Sequence, residues 1–175
     1  MNEKVSSWHI KVAAEAYAAA LFAQCGFDVS VQYGADQPEY DLIIAKDEKI
    51  LKVSVKGSQD GSWGLTQSFI QNADYHAAID KWLGRHKPKT ILCFVQFYGV
   101  HAGIDLPRTY LATPEEVAKQ LKGSRKGRGD SILHEEHHWG PKAHGAGTVD
   151  RIPLEWKFSE ARVSQLFEIV HSKPA

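Results

Sequence analysis

Residues 40–58, YDLIIAKDEKILKVSVKGS, hold two apolar-rich runs on either side of the polar residues KDEK. β-branched and leucine-rich runs broken by a short polar cluster read as a hairpin. With Lys46 to Lys49 as the turn, Ala45 pairs with Ile50, Ile44 with Leu51, and Asp41 falls across from Ser54. Residues directly opposite share a face, with Cβ atoms about 4.5–5.5 Å apart, and a diagonal neighbour such as Lys56 lies about 7–8 Å away. Leu42, Ile44, Leu51, Val53 and Val55 then share one apolar face, while Asp41, Lys52, Ser54 and Lys56 share the other. A slip of one residue would mix the two sets, so the clean sorting fixes the register.

An Asp and a Lys brought together at the end of a sheet suit phosphate chemistry. The carboxylate can hold a divalent cation, and the ammonium can orient a water or balance phosphate charge. The plainer reading is a surface Asp–Lys pair, worth less than about 1 kcal/mol.

The rest of the 175-residue chain bounds these readings. Hydrophobic content of 43% and charged content of 24% are those of one globular domain with a real core. The longest apolar run, ILCFVQFYGV, is broken by Gln96 and too short to span a bilayer. The start, MNEKVSSWHI, lacks the pattern of a secretory signal. Cys25 and Cys93 sit in apolar surroundings and read as buried free thiols. A cytoplasmic protein is expected. With 21 basic and 21 acidic residues the net charge is zero, which argues against a wholly basic nucleic-acid binder but leaves room for a local basic groove.

Along the chain, SWHIKVAAEAYAAALFAQC (7–25) predicts a helix, capped by Ser6 or Ser7 and ended by Gly26. FDVSVQY predicts a strand, and the hairpin supplies two more. After the loop GSQDGSWGLTQ, a helix is expected over 67–83, ended by Gly84. TILCFVQFY reads as a strand covered on both faces. In YLATPEEVAKQL, Thr113, Pro114 and Glu116 form a capping box with Pro at the first helical position. Residues 122–150, rich in Gly, His and basic residues, read as a long, partly mobile loop, and SEARVSQLFEIV as a last helix capped by Ser159. The order α-β-β-β-α-β, followed by an α-rich C-terminal extension from about residue 101, is an α/β fold with a mixed sheet.

These elements and residues resemble the PD-(D/E)xK, or restriction endonuclease-like, nuclease superfamily over residues 8 to about 97. Glu15 stands in the Ala-rich first helix ending QCGFDV, PEYDL places Asp41 at the family's metal-binding Asp, and VSVKGS places Lys56 at the Lys of its D/E-x-K triplet. The resemblance implies an αβββαβ core and a Mg²⁺- or Mn²⁺-dependent endonuclease acting on DNA. It implies Asp41, Glu15 and the Val55 carbonyl as metal ligands, and Lys56 orienting the attacking water. Gln67, Gln71 and Tyr75 occupy the helix where relatives add a phosphate-contacting residue, and the resemblance does not choose among them. Many relatives act as homodimers, which is the expectation here.

The departure is Ser54, where the family carries an acid or Gln. A hydroxyl is a poor ligand for a hard cation, so metal binding should be weaker unless Asp60 or Glu39 substitutes. The alternative function is a degenerate nuclease fold that binds nucleic acid or a protein without cutting. Glu15 also has an ordinary role open to it, pairing with Lys11 one turn earlier. Trp63 either packs or touches a base.

In the second half, Lys122, Arg125, Lys126 and Arg128 lie in a Gly-spaced stretch that either tracks a nucleic-acid backbone or is a solvated loop. HEEHH contains His134, Glu135 and His138 in the zinc-hydrolase pattern H-E-x-x-H. That pattern needs a long helix, and WGPKAHGAG follows at once, so the context argues against zinc there. His137, His144 and Glu136 complete a His-rich segment.

Overall fold

The computed structural model describes residues 5–32 and 39–172. Tyr33 and Pro38, read above as part of a strand and of the PEYDL motif, lie outside the described residues.

The first helix, α1, spans Ser7–Gln24, with the Ser6 hydroxyl accepting from the His9 N–H at 3.3 Å. Gly26, at φ +78°, lets the chain turn out of it into β1 (Asp28–Val31). Strands β2 (Leu42–Lys46) and β3 (Lys49–Ser58) form the hairpin in the expected register, Ala45 against Ile50 and Ile44 against Leu51. Its two turn residues, Asp47 and Glu48, are both left-handed (φ 49° and 64°), as a tight hairpin turn requires.

The short strand β4 (Ser62–Gly64) follows, then helix α2 (Tyr75–Leu83) and strand β5 (Thr90–Gln96). The helix expected over 67–83 is divided. Residues 67–69 form one 3₁₀ turn, Asn72 and Ala73 adopt left-handed backbone, and Asp74 caps α2 by accepting from Ala77 N–H at 2.9 Å. Two left-handed residues in succession cannot continue a helix. Gln67 and Gln71 therefore lie before the helix rather than on it.

Beyond β5 the chain departs further from the expected α-rich tail. Strand β6 (Arg108–Ala112) pairs antiparallel with β5, so a segment read as extension belongs to the main sheet. Helix α3 (Pro114–Gly127) starts on the expected capping box, with Thr113 Oγ1 and Glu116 making reciprocal bonds. Residues 122–150, read as one long loop, contain the end of α3 and three short strands: β7 (Ile132–His134), β8 (Glu136–His138) and β9 (Val149–Arg151). β7 pairs with the distant β4 and β8 with the nearby β9, which gives the Gly- and His-rich segment its backbone partners. Helix α4 (Glu160–Ser172) follows, its Ser159 hydroxyl accepting from Arg162 N–H.

The main sheet has the order β1-β2-β3-β5-β6, with β3 and β5 parallel and the other neighbours antiparallel. Helices cover both faces. Ala14, Ala18 and Phe22 of α1, with Val163, Leu166 and Phe167 of α4, pack on Leu42, Ile44, Leu51, Val53 and Val55. On the other face, Ile79 and Trp82 of α2 and Val117 and Leu121 of α3 pack on Leu92 and Phe94. With every residue of β5 buried, the unbroken apolar run is explained by cover on both sides. No helix among the described residues is long and apolar enough to cross a membrane.

Candidate functional site

The site begins where β2 leaves the ladder. Val53 pairs with Leu42, yet its carbonyl also accepts the Asp41 N–H at 2.9 Å. Two residues thus oppose one, the arrangement of a β-bulge, which re-aims the side chain of the extra residue. Asp41 therefore does not face Ser54 as the regular register predicts. Its carboxylate instead accepts from the Val55 N–H at 2.7 Å, and Asp41 is only 8% exposed. A strand residue's N–H and C=O point toward the same neighbour, so the Val55 carbonyl faces this gap as well.

Helix α1 brings Glu15 to the same place. Burial pushes the Glu15 carboxyl above its ordinary range, and the Asp41 charge pushes it further, while Lys11, 3.6 Å away, acts in the opposite direction. One Glu15 oxygen is buried without a hydrogen-bond partner. Two neighbouring carboxylates of this kind either share a proton or hold a cation between them. The donor set, two carboxylates and a backbone carbonyl, fits a hard divalent ion that keeps several waters. Among the described residues no three His, Cys, Asp or Glu side chains come together as a metal cluster, so any such site depends on the carbonyl and water for its remaining ligands.

Gly57 makes this approach possible. A Cβ there would lie 2.9 Å from the Ile10 carbonyl and 2.9 Å from Ala14 Cβ, closer than packed atoms allow. The missing side chain lets α1 sit directly on β3, one residue beyond Lys56. The sequence carried a cue to this, a Gly inside a strand, which marks close backbone approach.

Lys56 and Asp41 line one cleft of about 690 Å³, with Val55, Asp60 and Lys11 also in its wall. Lys56 is exposed, and its carbonyl accepts from Trp63 Nε1 at 2.9 Å. That bond, with Trp63 edge-on to Phe94, identifies Trp63 as a packing residue that holds β4 against the end of β3. Asp60 spends one oxygen on Ser58 Oγ and on the N–H and Oγ of Ser62, which shapes the β3–β4 turn. Glu39 has one buried oxygen without a hydrogen-bond partner and is not part of the cleft wall. Glu15 lies in an adjoining hollow with Trp8, Val12 and Gln32, and Lys11 borders both spaces. Ser54 is 2% exposed, pairs with Leu92 of β5 and does not line the cleft.

The other candidate residues are dispersed. Lys52 lies over the Tyr40 ring at 5.4 Å, and Gln67 packs over Gly64 at the cleft's far wall. Gln71 accepts from Lys81, and Tyr75 lies beneath the Arg125 guanidinium. Arg125 is sandwiched between Tyr75 and Trp139, Lys122 is paired with Asp80 at 2.5 Å, and Lys126 donates to the Ala146 carbonyl. Arg128 is exposed.

HEEHH is extended, so His134 and His138 do not stand one helical turn apart. His134 stacks on His137 and approaches Asp130 at 3.4 Å, while His138 bonds Glu136. Glu135 is held by Arg108, at 2.7 and 2.8 Å, and by the Tyr110 hydroxyl at 2.6 Å.

The architecture is an α/β fold, a mixed sheet between helices, with a cleft lined by Asp41 and Lys56 where β2 leaves β3. The chain is similar in structure to a bacterial homing endonuclease, I-Ssp6803I, with a TM-score of 0.51 and 15% identity over 98% of this chain and 100% of that one. At that identity the likeness is one of fold. No protein-family model matches the chain, and no curated protein matches it.

Proposed function

We propose that the protein is a Mg²⁺- or Mn²⁺-dependent DNA phosphodiesterase of the PD-(D/E)xK type. The observation that carries this reading is the bulge at Asp41. It turns one carboxylate toward the Val55 backbone and Glu15, on the wall of the cleft that Lys56 also lines. The nuclease-like fold supports it.

Asp41, Glu15 and the Val55 carbonyl would hold the metal ion. When bound, the ion would place positive charge beside the attacked phosphate and lower the pKa of a coordinated water. Lys56, exposed in the cleft, contributes a second positive charge toward the phosphate and a donor that can orient the water. The Val55 amide keeps the Asp41 carboxylate fixed, so its position does not have to be found during the reaction.

A second reading is a fold that binds DNA without cutting it. Ser54 favours it, because a buried hydroxyl outside the cleft supplies no metal charge. Cleavage of supercoiled, linear, single-stranded and branched DNA in Mg²⁺ or Mn²⁺ separates the two. Cutting that both Asp41→Asn and Lys56→Ala abolish is expected. DNA binding by the wild type with no cutting of any of these substrates in either metal would replace the first reading by the second.

A further inference from the structure

The segment between β5 and β6, residues 97–107, carries two of the most exposed large apolar side chains among the described residues: Ile104 is 83% exposed and Leu106 79%. Tyr98, in the same loop, is 61% exposed. Side chains of this kind on a flexible loop would fold back onto the surface. This loop is instead held open by its own hydrogen bonds. The Asp105 carboxylate accepts from His101 N–H at 3.0 Å and pairs with the His101 ring at 2.7 Å, and the Ile104 and Asp105 amides donate to the His101 carbonyl. At its base, Gln96 Oε1 accepts from Tyr98 N–H, and Arg108, itself fixed by Glu135, donates to the Tyr98 carbonyl.

The loop also lies at the cleft's edge of the sheet. Strands β3 and β5 run parallel, so their C-terminal ends lie at the same edge of the sheet, and Phe97 N–H donates to the Ser58 carbonyl at 2.7 Å. Ser58 lines the cleft two residues beyond Lys56. Ile104 is seven positions along the chain from Phe97, so the tip lies no more than about 25 Å from that anchor. That distance is less than one helical turn of a duplex, ~34 Å, so the tip is within reach of a duplex seated over Lys56.

We propose that this loop is a wedge that inserts Ile104 and Leu106 between the bases of a duplex bound at the cleft, an inference that rests on the reading of the cleft as a DNA site. Ile and Leu are among the side chains that unstack a base step and kink the duplex. Two side chains are too few for a stable protein interface, which takes about 800 Å² per partner. They are enough for a wedge. The loop's hydrogen bonds keep the pair presented, so the cost of ordering it is met before binding.

The test uses the full chain and a mixed-sequence duplex carrying 2-aminopurine in place of adenine, in Ca²⁺ so that binding is read apart from cutting. The wild type should bind with a rise in fluorescence as bases unstack. Ile104→Ser/Leu106→Ser should bind about tenfold or more weakly, the scale of two apolar side chains returned to water, and lose the rise. Ile104→Leu/Leu106→Ile should retain both. Because both residues are exposed, thermal melting of all variants should match the wild type. Wild-type binding without a fluorescence rise, or a serine variant that equals the wild type, overturns the wedge and leaves the cleft reading intact. A serine variant that instead dissociates an oligomer in sedimentation assigns the loop to a second copy of the chain and overturns the wedge. A wild type that binds no DNA removes the cleft reading itself, and the wedge with it.

Discussion

Asp41 and Glu15 are two acids that the fold places against each other at a cost. Burial and the Asp41 charge both raise the Glu15 carboxyl, and Lys11 offsets only part of this. For an acid whose folded pKa lies above its unfolded value, the fold is most favoured when the group is protonated, and it loses that advantage as pH rises through the folded value. At neutral pH, without metal, the Glu15 charge therefore destabilises the protein. Glu15→Gln should melt at a higher temperature than the wild type in EDTA, yet bind Mn²⁺ more weakly. Wild-type Mn²⁺ affinity, measured by calorimetry, should climb with pH just above the ordinary glutamate range, as Glu15 gives up its proton. The Gln variant should lose that climb. Equal melting and equal affinity would remove Glu15 from the site. The sequence points to Asp41, Glu15 and Lys56 as candidates, but not to how Asp41 meets the Val55 amide. A bulge depends on which amide a carbonyl accepts, and the alternation of side chains does not encode that, so Asp41 was expected opposite Ser54.

At the scale of elements, the site is a contact between α1 and β3. Gly57 allows it, because a methyl group there would press on the Ile10 carbonyl, which as helix backbone has nowhere to move. Gly57→Ala should destabilise the protein by about 1–3 kcal/mol, the usual cost of overpacking, read from its urea midpoint. It should also weaken Mn²⁺ binding, since α1 carries Glu15. A variant as stable as the wild type would mean that α1 does not sit this close to β3. Helix α1, the hairpin and β5 were legible because each carries its own period or boundary signal: Ser6 before α1, the turn KDEK, the apolar run of β5. The helix expected over 67–83 was not, because Asn72 and Ala73 break it with left-handed backbone, and Ala rarely signals that conformation. Strand β6 is not legible as a strand, because RTYLA runs straight into the Thr113 cap and reads with the helix that follows.

For the whole molecule, the second half of the chain braces the cleft. Glu135 ties Arg108 and Tyr110 of β6 to the β4 turn, where its amide donates to the Gly61 carbonyl. Arg162 of α4 likewise donates to the Leu111 carbonyl and to Glu116 of α3. Burial alone would raise the Glu135 carboxyl, but the hydrogen bonds from Arg108 and Tyr110 outweigh it and hold the group below the ordinary range. A lowered folded pKa contributes stability above the unfolded value of about 4.5, and that stability fades as pH falls through the folded value. Glu135→Gln should therefore lose stability at neutral pH, and its deficit against the wild type should shrink as the pH is taken well below 4.5 in chemical denaturation. A deficit unchanged by pH would show that the Glu135 charge is not what braces the turn. This long-range arrangement was illegible in the sequence. Glu135 drew notice as part of H-E-x-x-H, whereas its partners lie 25 and 27 residues away. The Gly- and His-rich composition of residues 122–150 suggested a loop because its short strands pair with segments that the local pattern does not reveal.

On the proposed function, the cleft holding Asp41 and Lys56 cuts phosphodiesters with a divalent ion. The most direct measurement is nicking of supercoiled plasmid in Mn²⁺ by the wild type, beside Lys56→Ala shown by melting to be folded. Nicking by the wild type that EDTA stops and Lys56→Ala lacks is the predicted result. A wild type that leaves the plasmid intact in both Mn²⁺ and Mg²⁺, or a Lys56→Ala variant that nicks as fast, would rule that function out.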